Sequence, residues 1–224
     1  EASQSLTVSK AALSIAITTP VAGDNVVNAA EATAGFVIQG TTTGIADGQT
    51  ATITIVNSAN VVLFTFNPVV SGNAWSVTVP NTDHLPDGSY TIKADVSDGV
   101  GNQAPEATQT LTVDETAPAA PGVALTSDTG SSASDHITSN PALTLSGLET
   151  GAKVEYSLDG GTTWSVSAPT LAQLVQGSNT VDVRQTDVAG NVSSVTAFTF
   201  TLDTVAPAAP GVALTNDTGS SASD

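Results

Sequence analysis

Residues 114 to 135 read DETAPAAPGVALTSDTGSSASD, and residues 203 to 224 read DTVAPAAPGVALTNDTGSSASD. Nineteen of the 22 positions are identical, with Glu115, Thr116 and Ser127 the exceptions, at a constant offset of 89. A period near 90 is too long for a solenoid repeat and fits a whole small β-domain. The sequence therefore reads as a slice of a tandem array. It predicts the last strand of a preceding repeat at 1–9, one repeat at 10–114, a second at 115–203, and the start of a third at 204–224.

Both repeats carry β signals. ATITIV (51–56), WSVTV (75–79), YTIKADV (90–96) and TQTLTV (108–113) alternate apolar with polar residues, as do ALTLSG (142–147), KVEYSL (153–158), TVDVRQ (180–185) and AFTFTL (197–202). Asp159-Gly160-Gly161 closes a hairpin, since glycine supplies the positive φ such turns need, and Pro86-Asp87-Gly88 sets a tight turn. No stretch sustains a helical period, and LAQLV (171–175) allows one turn at most. About seven short strands per repeat predict an all-β chain of tandem immunoglobulin-like Greek-key β-sandwiches. The 89-residue register also sets Gly72, Trp75 and Pro80 against Gly161, Trp164 and Pro169, with a slip and loop insertion between Asn28 and Phe36. A recurring Trp beside a hairpin reads as core, and Tyr90, opening a strand after a turn, reads as a tyrosine corner for which the second repeat has Asn179.

Charge narrows the partners. There are 21 acidic residues against four basic ones, a net charge of −17. Nucleic acid and anionic membrane surfaces repel such a chain, and no apolar run reaches the length of a membrane span. With no cysteine, neither disulfides nor thiolate metal sites contribute. Catalysis is not expected: His84 and His136 are single and unmatched between repeats, and no triad, paired-Glu or phosphate-loop pattern is present.

The acidic residues fall at the sandwich poles. In this topology the A–B loop lies at one pole and the F–G loop at the other, and the short, proline-stiffened linker (Pro118, Pro121) brings neighbouring poles together. The first joint should gather Asp114, Asp187, Asn191 and Asp24. The second should gather Asp128, Asp135 and Asp203. Carboxylates about 5 Å apart repel by roughly 3 kcal/mol at an effective dielectric near 20, and a hard dication such as Ca²⁺ converts that repulsion into a cross-link. Asp47, Asp87 and Asp159, each beside glycine, read as ordinary turn residues.

Taken together, LDTVAPAAP, DTGSSASDHIT, SLDGGTTW and TDVAGN resemble the bacterial immunoglobulin-like repeats of giant RTX-type and biofilm-associated surface adhesins. The resemblance covers nearly all of the second repeat and the back half of the first. It implies extender domains of a type I-secreted protein on the bacterial cell surface, stiffened by Ca²⁺ at the joints. On that resemblance the ligands are Asp114, Asp128, Asp135, Asp187 and Asp203, with Asp98, Asp217 and Asp224 by repeat equivalence. The first repeat departs from the pattern: Asp24 stands alone for the paired aspartates, and Ser9 stands where Asp114 would be. The expected partners are the neighbouring repeats of the same chain, with no host or surface ligand bound by this segment. Two other readings stay open, a glycan- or protein-binding module of such an adhesin and an accessory module of a secreted enzyme.

Overall fold

The computed structural model describes residues 12–212 and residue 215. The expected strand at 1–9, together with Asp217 and Asp224, lies outside the described residues. Contact density divides the chain into two compact units. The first is Glu1–Gly122 with Ser146–Glu155 and Val183–Thr196, and the second is Val123–Leu145, Tyr156–Asp182 and Ala197–Asp224.

In the first repeat, β1 (Ser14–Ile17), β2 (Val26–Val27), a short helix α1 (Ala29–Ala34), β3 (Phe36–Thr43), β4 (Ala51–Asn57), β5 (Val62–Phe66), β6 (Ala74–Val79), β7 (Gly88–Val96) and β8 (Ala107–Val113) follow in turn. They make a three-stranded sheet, β1-β3-β6, and a five-stranded one, β2-β8-β7-β4-β5. Alternation in the sequence becomes alternation in burial: along β3 every second residue, from Phe36 to Thr42, is buried and its neighbours face out. Ile15, Ile38 and Trp75 from one sheet join Ile53, Ile92 and Leu111 from the other in one continuous core. This is a β-sandwich, as the strand pattern predicts.

The second repeat has β9 (Gly122–Leu125), β10 (Ile137–Thr138), β11 (Leu143–Ser146), β12 (Lys153–Ser157), β13 (Gly177–Thr186) and β14 (Thr196–Leu202). Its sheets run β10-β14-β13-β12 and β11-β9. The four-stranded order repeats that of β2-β8-β7-β4. The 89-residue register is kept by β7 with β13 and by β8 with β14, but not upstream. There β12, starting at Lys153, takes the place of β4, starting at Ala51. Trp75 and Trp164 are therefore not equivalent, despite their match in sequence. Trp75 lies on β6 opposite Gly40 of β3 and is 2% exposed. Trp164 lies in the hairpin after β12, its indole N–H donating to the Gly161 carbonyl at 3.0 Å.

Gly40 explains how Trp75 fits. A Cβ there would stand 1.9 Å from the Ala16 carbonyl oxygen and 2.5 Å from the Trp75 ring. The expected tyrosine corner is present, with the Tyr90 hydroxyl donating to the Pro86 carbonyl at 2.5 Å. Asn179 closes the same four-residue span in the second repeat. It accepts from the Val175 N–H at 3.0 Å and donates to the Val175 carbonyl at 2.7 Å.

The insertion between Asn28 and Phe36 is α1. Asn28 caps it by accepting from the N–H groups of Ala30 and Glu31, and Glu31 accepts in return from the Asn28 N–H. That capping box is written in the sequence as Asn28-x-x-Glu31, a start signal that the search for a sustained helical period passes over.

Candidate functional site

The richest polar constellation surrounds the linker that leaves β8, and all of its members belong to the first compact unit. β2 runs parallel to β8, with Val27 opposite Val113, and the ladder continues through Asp114 N–H to the Val27 carbonyl at 3.0 Å. The Asp114 carboxylate turns back on its own chain, accepting from Thr116 N–H at 3.2 Å.

Next comes a clamp from the turn before β7. Asp87 Oδ1 accepts from Glu115 N–H at 2.7 Å, and its Oδ2 accepts from the Thr116 hydroxyl. Asp87 is thus more than the turn residue the sequence suggested. In the second repeat Gln176, one position before Gly177, holds Thr204 in the same way, with Thr204 N–H donating to its Oε1 at 3.1 Å. The Glu115 N–H first, and the Thr116 hydroxyl second, hold the Asp87 carboxyl below its ordinary value of 3.8. A lowered folded-state pKa means that the clamp contributes fully above about pH 3.8 and is lost as pH falls through the lowered value. The side-chain carboxyl carbon of Asp87, followed by NMR, is expected to titrate with a midpoint below 3.8; a midpoint at or above that value contradicts the clamp.

Gln185 of β13 is fully buried and holds the linker further along. Its amide nitrogen donates to the carbonyls of Ala119 at 2.7 Å and Gly147 at 3.1 Å, and its oxygen accepts from Glu149 N–H at 2.9 Å. The Thr196 hydroxyl donates to the Pro121 carbonyl at 2.6 Å.

The loop between β13 and β14 then meets the start of α1. Asp187 and Asn191 are 7% and 6% exposed. Asp187 accepts from the Asn191 backbone N–H at 2.8 Å and from its side-chain amide at 2.9 Å. The same amide nitrogen donates to the Asp114 carbonyl at 2.7 Å, and the amide oxygen accepts from Ala29 N–H at 2.9 Å. Asn28 donates to the Ala189 carbonyl at 3.1 Å. Of the residues assigned to this joint, Asp114, Asp187 and Asn191 come together. Asp24 spends a carboxylate oxygen on Val26 N–H at 2.9 Å. Asp98 and Asn102 repeat the Asp187–Asn191 bonds within their own loop, at 2.7 Å for both the backbone and the side-chain donor.

A different arrangement holds Asp128 and Asp135, both in the second unit. Asp128 Oδ2 accepts from His136 N–H at 3.0 Å, while its Oδ1 is buried with no hydrogen-bond partner. Asp135 accepts from Ile137 and Ser132 N–H. The Ile137 N–H is the leading cause of its lowered pKa, with Ser132, Ser131 and the adjacent Asp128 carboxyl adding to it against the opposing effect of burial. Asp203, after β14, donates its N–H to the Thr138 carbonyl at 2.9 Å and caps Val205 N–H.

Among the described residues, no three carboxylate or imidazole groups converge at metal-ligand range. The two joints nevertheless differ as potential Ca²⁺ sites. The Asp128–Asp135 pair fits a hard cation, since a buried carboxylate oxygen without a donor, beside a second carboxylate, is costly until a cation meets it. The Asp114–Asp187–Asn191 set does not fit: Asn191 already presents N–H groups to the oxygens that a cation would use.

Residues 116–204 match the family model for the bacterial Ig-like domain. No curated protein matches the chain. Among solved structures, a 1.5-MDa bacterial ice-binding adhesin is 26% identical over 88% of this chain and 65% of its own, with a TM-score of 0.49. A Ca²⁺-stabilized adhesin with which an Antarctic bacterium binds ice is 25% identical over 84% of this chain and 48% of its own, with a TM-score of 0.50. The chain thus spans 65% and 48% of these two. An immunoglobulin-like domain of the M. primoryensis ice-binding adhesin is 30% identical over 46% of this chain and 99% of its own, at a TM-score of 0.33. The second repeat, with the linkers that flank it, thus carries the match to the bacterial Ig-like domain family, over residues 116–204.

Proposed function

We propose that this chain is a structural extender segment of a secreted bacterial surface adhesin, in which function lies in length and stiffness. The observation that supports this most is the linker itself. Between Asp114 and Pro121, the Glu115 N–H and the carbonyls of Asp114, Ala119 and Pro121 are taken up by Asp87, Asn191, Gln185 and Thr196, side chains on either side of it. A linker held in this way transmits orientation, whereas a free one of this length would behave as a flexible tether. Among the described residues, no helix is long and apolar enough to cross a membrane.

Calcium enters this reading at the Asp128–Asp135 pair, with Asp203 as the linker residue of the same joint. The ion would supply charge neutralisation and cross-linking there. The side chains orient it: Asp128 offers its buried Oδ1, and the Ser132 and Ile137 N–H groups hold Asp135 in place.

Thermal unfolding and small-angle scattering, each in Ca²⁺ and in EDTA, test the proposal. Binding to the folded form alone raises stability by about 2.7 kcal/mol at a hundredfold excess over Kd. Asp128→Ala is expected to abolish the calcium-dependent rise in the melting midpoint, while Asp159→Ala leaves it intact. Melting unchanged by calcium removes the ion from this reading. A maximum dimension that collapses under both conditions removes the extender role.

A further inference from the structure

The joint at Asp114 differs from the Asp128–Asp135 pair in what neutralises its acceptors. We propose that this joint is closed by a side-chain amide and the start of a helix in place of a cation, so that it stays closed when calcium is withdrawn.

The orientation of the Asn191 amide carries the inference. Ala29 N–H points at one end of it, and only the oxygen can accept there. The other end must then be the NH₂ group, which faces two acceptors, Asp187 Oδ2 and the Asp114 carbonyl. Each polar atom of the amide is thereby used, two protons given and one accepted. A cation seated among the same oxygens would meet those two N–H protons head on. The Asp187 carboxylate, 7% exposed, has donors on both of its oxygens from Asn191.

The donor from Ala29 exists because of the insertion. Ala29 is the first residue of α1, and its N–H has no partner within the helix. Asn28 fixes that end twice, capping α1 with its oxygen while its nitrogen reaches the Ala189 carbonyl. In the second repeat four residues (139–142) join β10 to β11, where eight (28–35) join β2 to β3, and they form no helix. The orphaned Asp128 oxygen of the second repeat lies elsewhere, in the loop between β9 and β10.

The inference goes beyond the extender reading and does not depend on it, because a segment that bound a ligand would keep the same joint. Amide hydrogen exchange on the whole chain, in calcium and in EDTA, tests it. The backbone N–H groups of Ala29, Asn191 and Glu115 are expected to exchange equally slowly in both. Asn191→Ala should speed exchange at Ala29 by about fivefold or more in both, as expected for losing the hydrogen bond to the amide oxygen, worth about 1 kcal/mol. Acceleration of the wild-type protons in EDTA overturns the inference, and so does an Asn191→Ala chain whose joint exchanges as slowly as the wild type. Should that variant fail to fold, the wild-type comparison alone decides. Collapse of the scattering dimension with unchanged exchange at this joint would count against the extender role and leave the inference standing.

Discussion

Trp75→Ala is expected to cost the first sandwich about 3–5 kcal/mol, the range for truncating a large buried aromatic residue. The indole is 2% exposed, packed in the core with Ile15, Ile38 and Ile53. The residue facing it across the ladder is Gly40, which has no side chain to move into the space. Both flanking backbones are tied by strand pairing, β1 to β3 and β3 to β6, so collapse of the cavity is restricted. Trp164→Ala should cost about 1 kcal/mol, the scale of its indole hydrogen bond to Gly161. Urea unfolding of the two variants measures the contrast. Equal midpoints would mean that the two tryptophans play one role, as their match in sequence suggests, and that the topology described here is wrong.

Gln185→Leu is expected to be nearly as damaging, for a different reason. Leucine fills a similar volume, so little packing is lost. The substitution leaves Glu149 N–H and the carbonyls of Ala119 and Gly147 without the partner that buried groups require. At about 1–3 kcal/mol for each buried group left unpaired, the loss should reach roughly 3 kcal/mol. Because Ala119 belongs to the linker, limited proteolysis should shift to the 114–121 segment. A variant as stable and as protease-resistant as the wild type would show that Gln185 does not hold the linker.

The strands were legible because burial on one face leaves a period of two, as in WSVTV and TQTLTV. The meeting of Asp114, Asp187 and Asn191 was legible too, since linker length and pole geometry follow from strand count. The chemistry of that meeting was not. It turns on which way one amide points, and this depends on the N–H of Ala29, 162 residues away in sequence. Asp87 and Gln185 escaped for the same reason, their linker partners lying 28 and 66 residues distant. Asp87 beside Gly88 has the local look of any turn residue. The constant offset misled at Trp75 because the first repeat carries two extra strands, β5 and Trp75's own β6, which shift everything before β7 out of register.

Backbone ¹⁵N relaxation of the linker tests most directly whether this segment is a held joint. The non-proline residues of 114–121, in the whole chain, are expected to show order parameters near 0.85, equal to those of β7 and β8. Values below about 0.6 for Glu115, Thr116 and Ala119 would make the linker a tether and contradict the hydrogen-bonded joint on which the function proposed here depends.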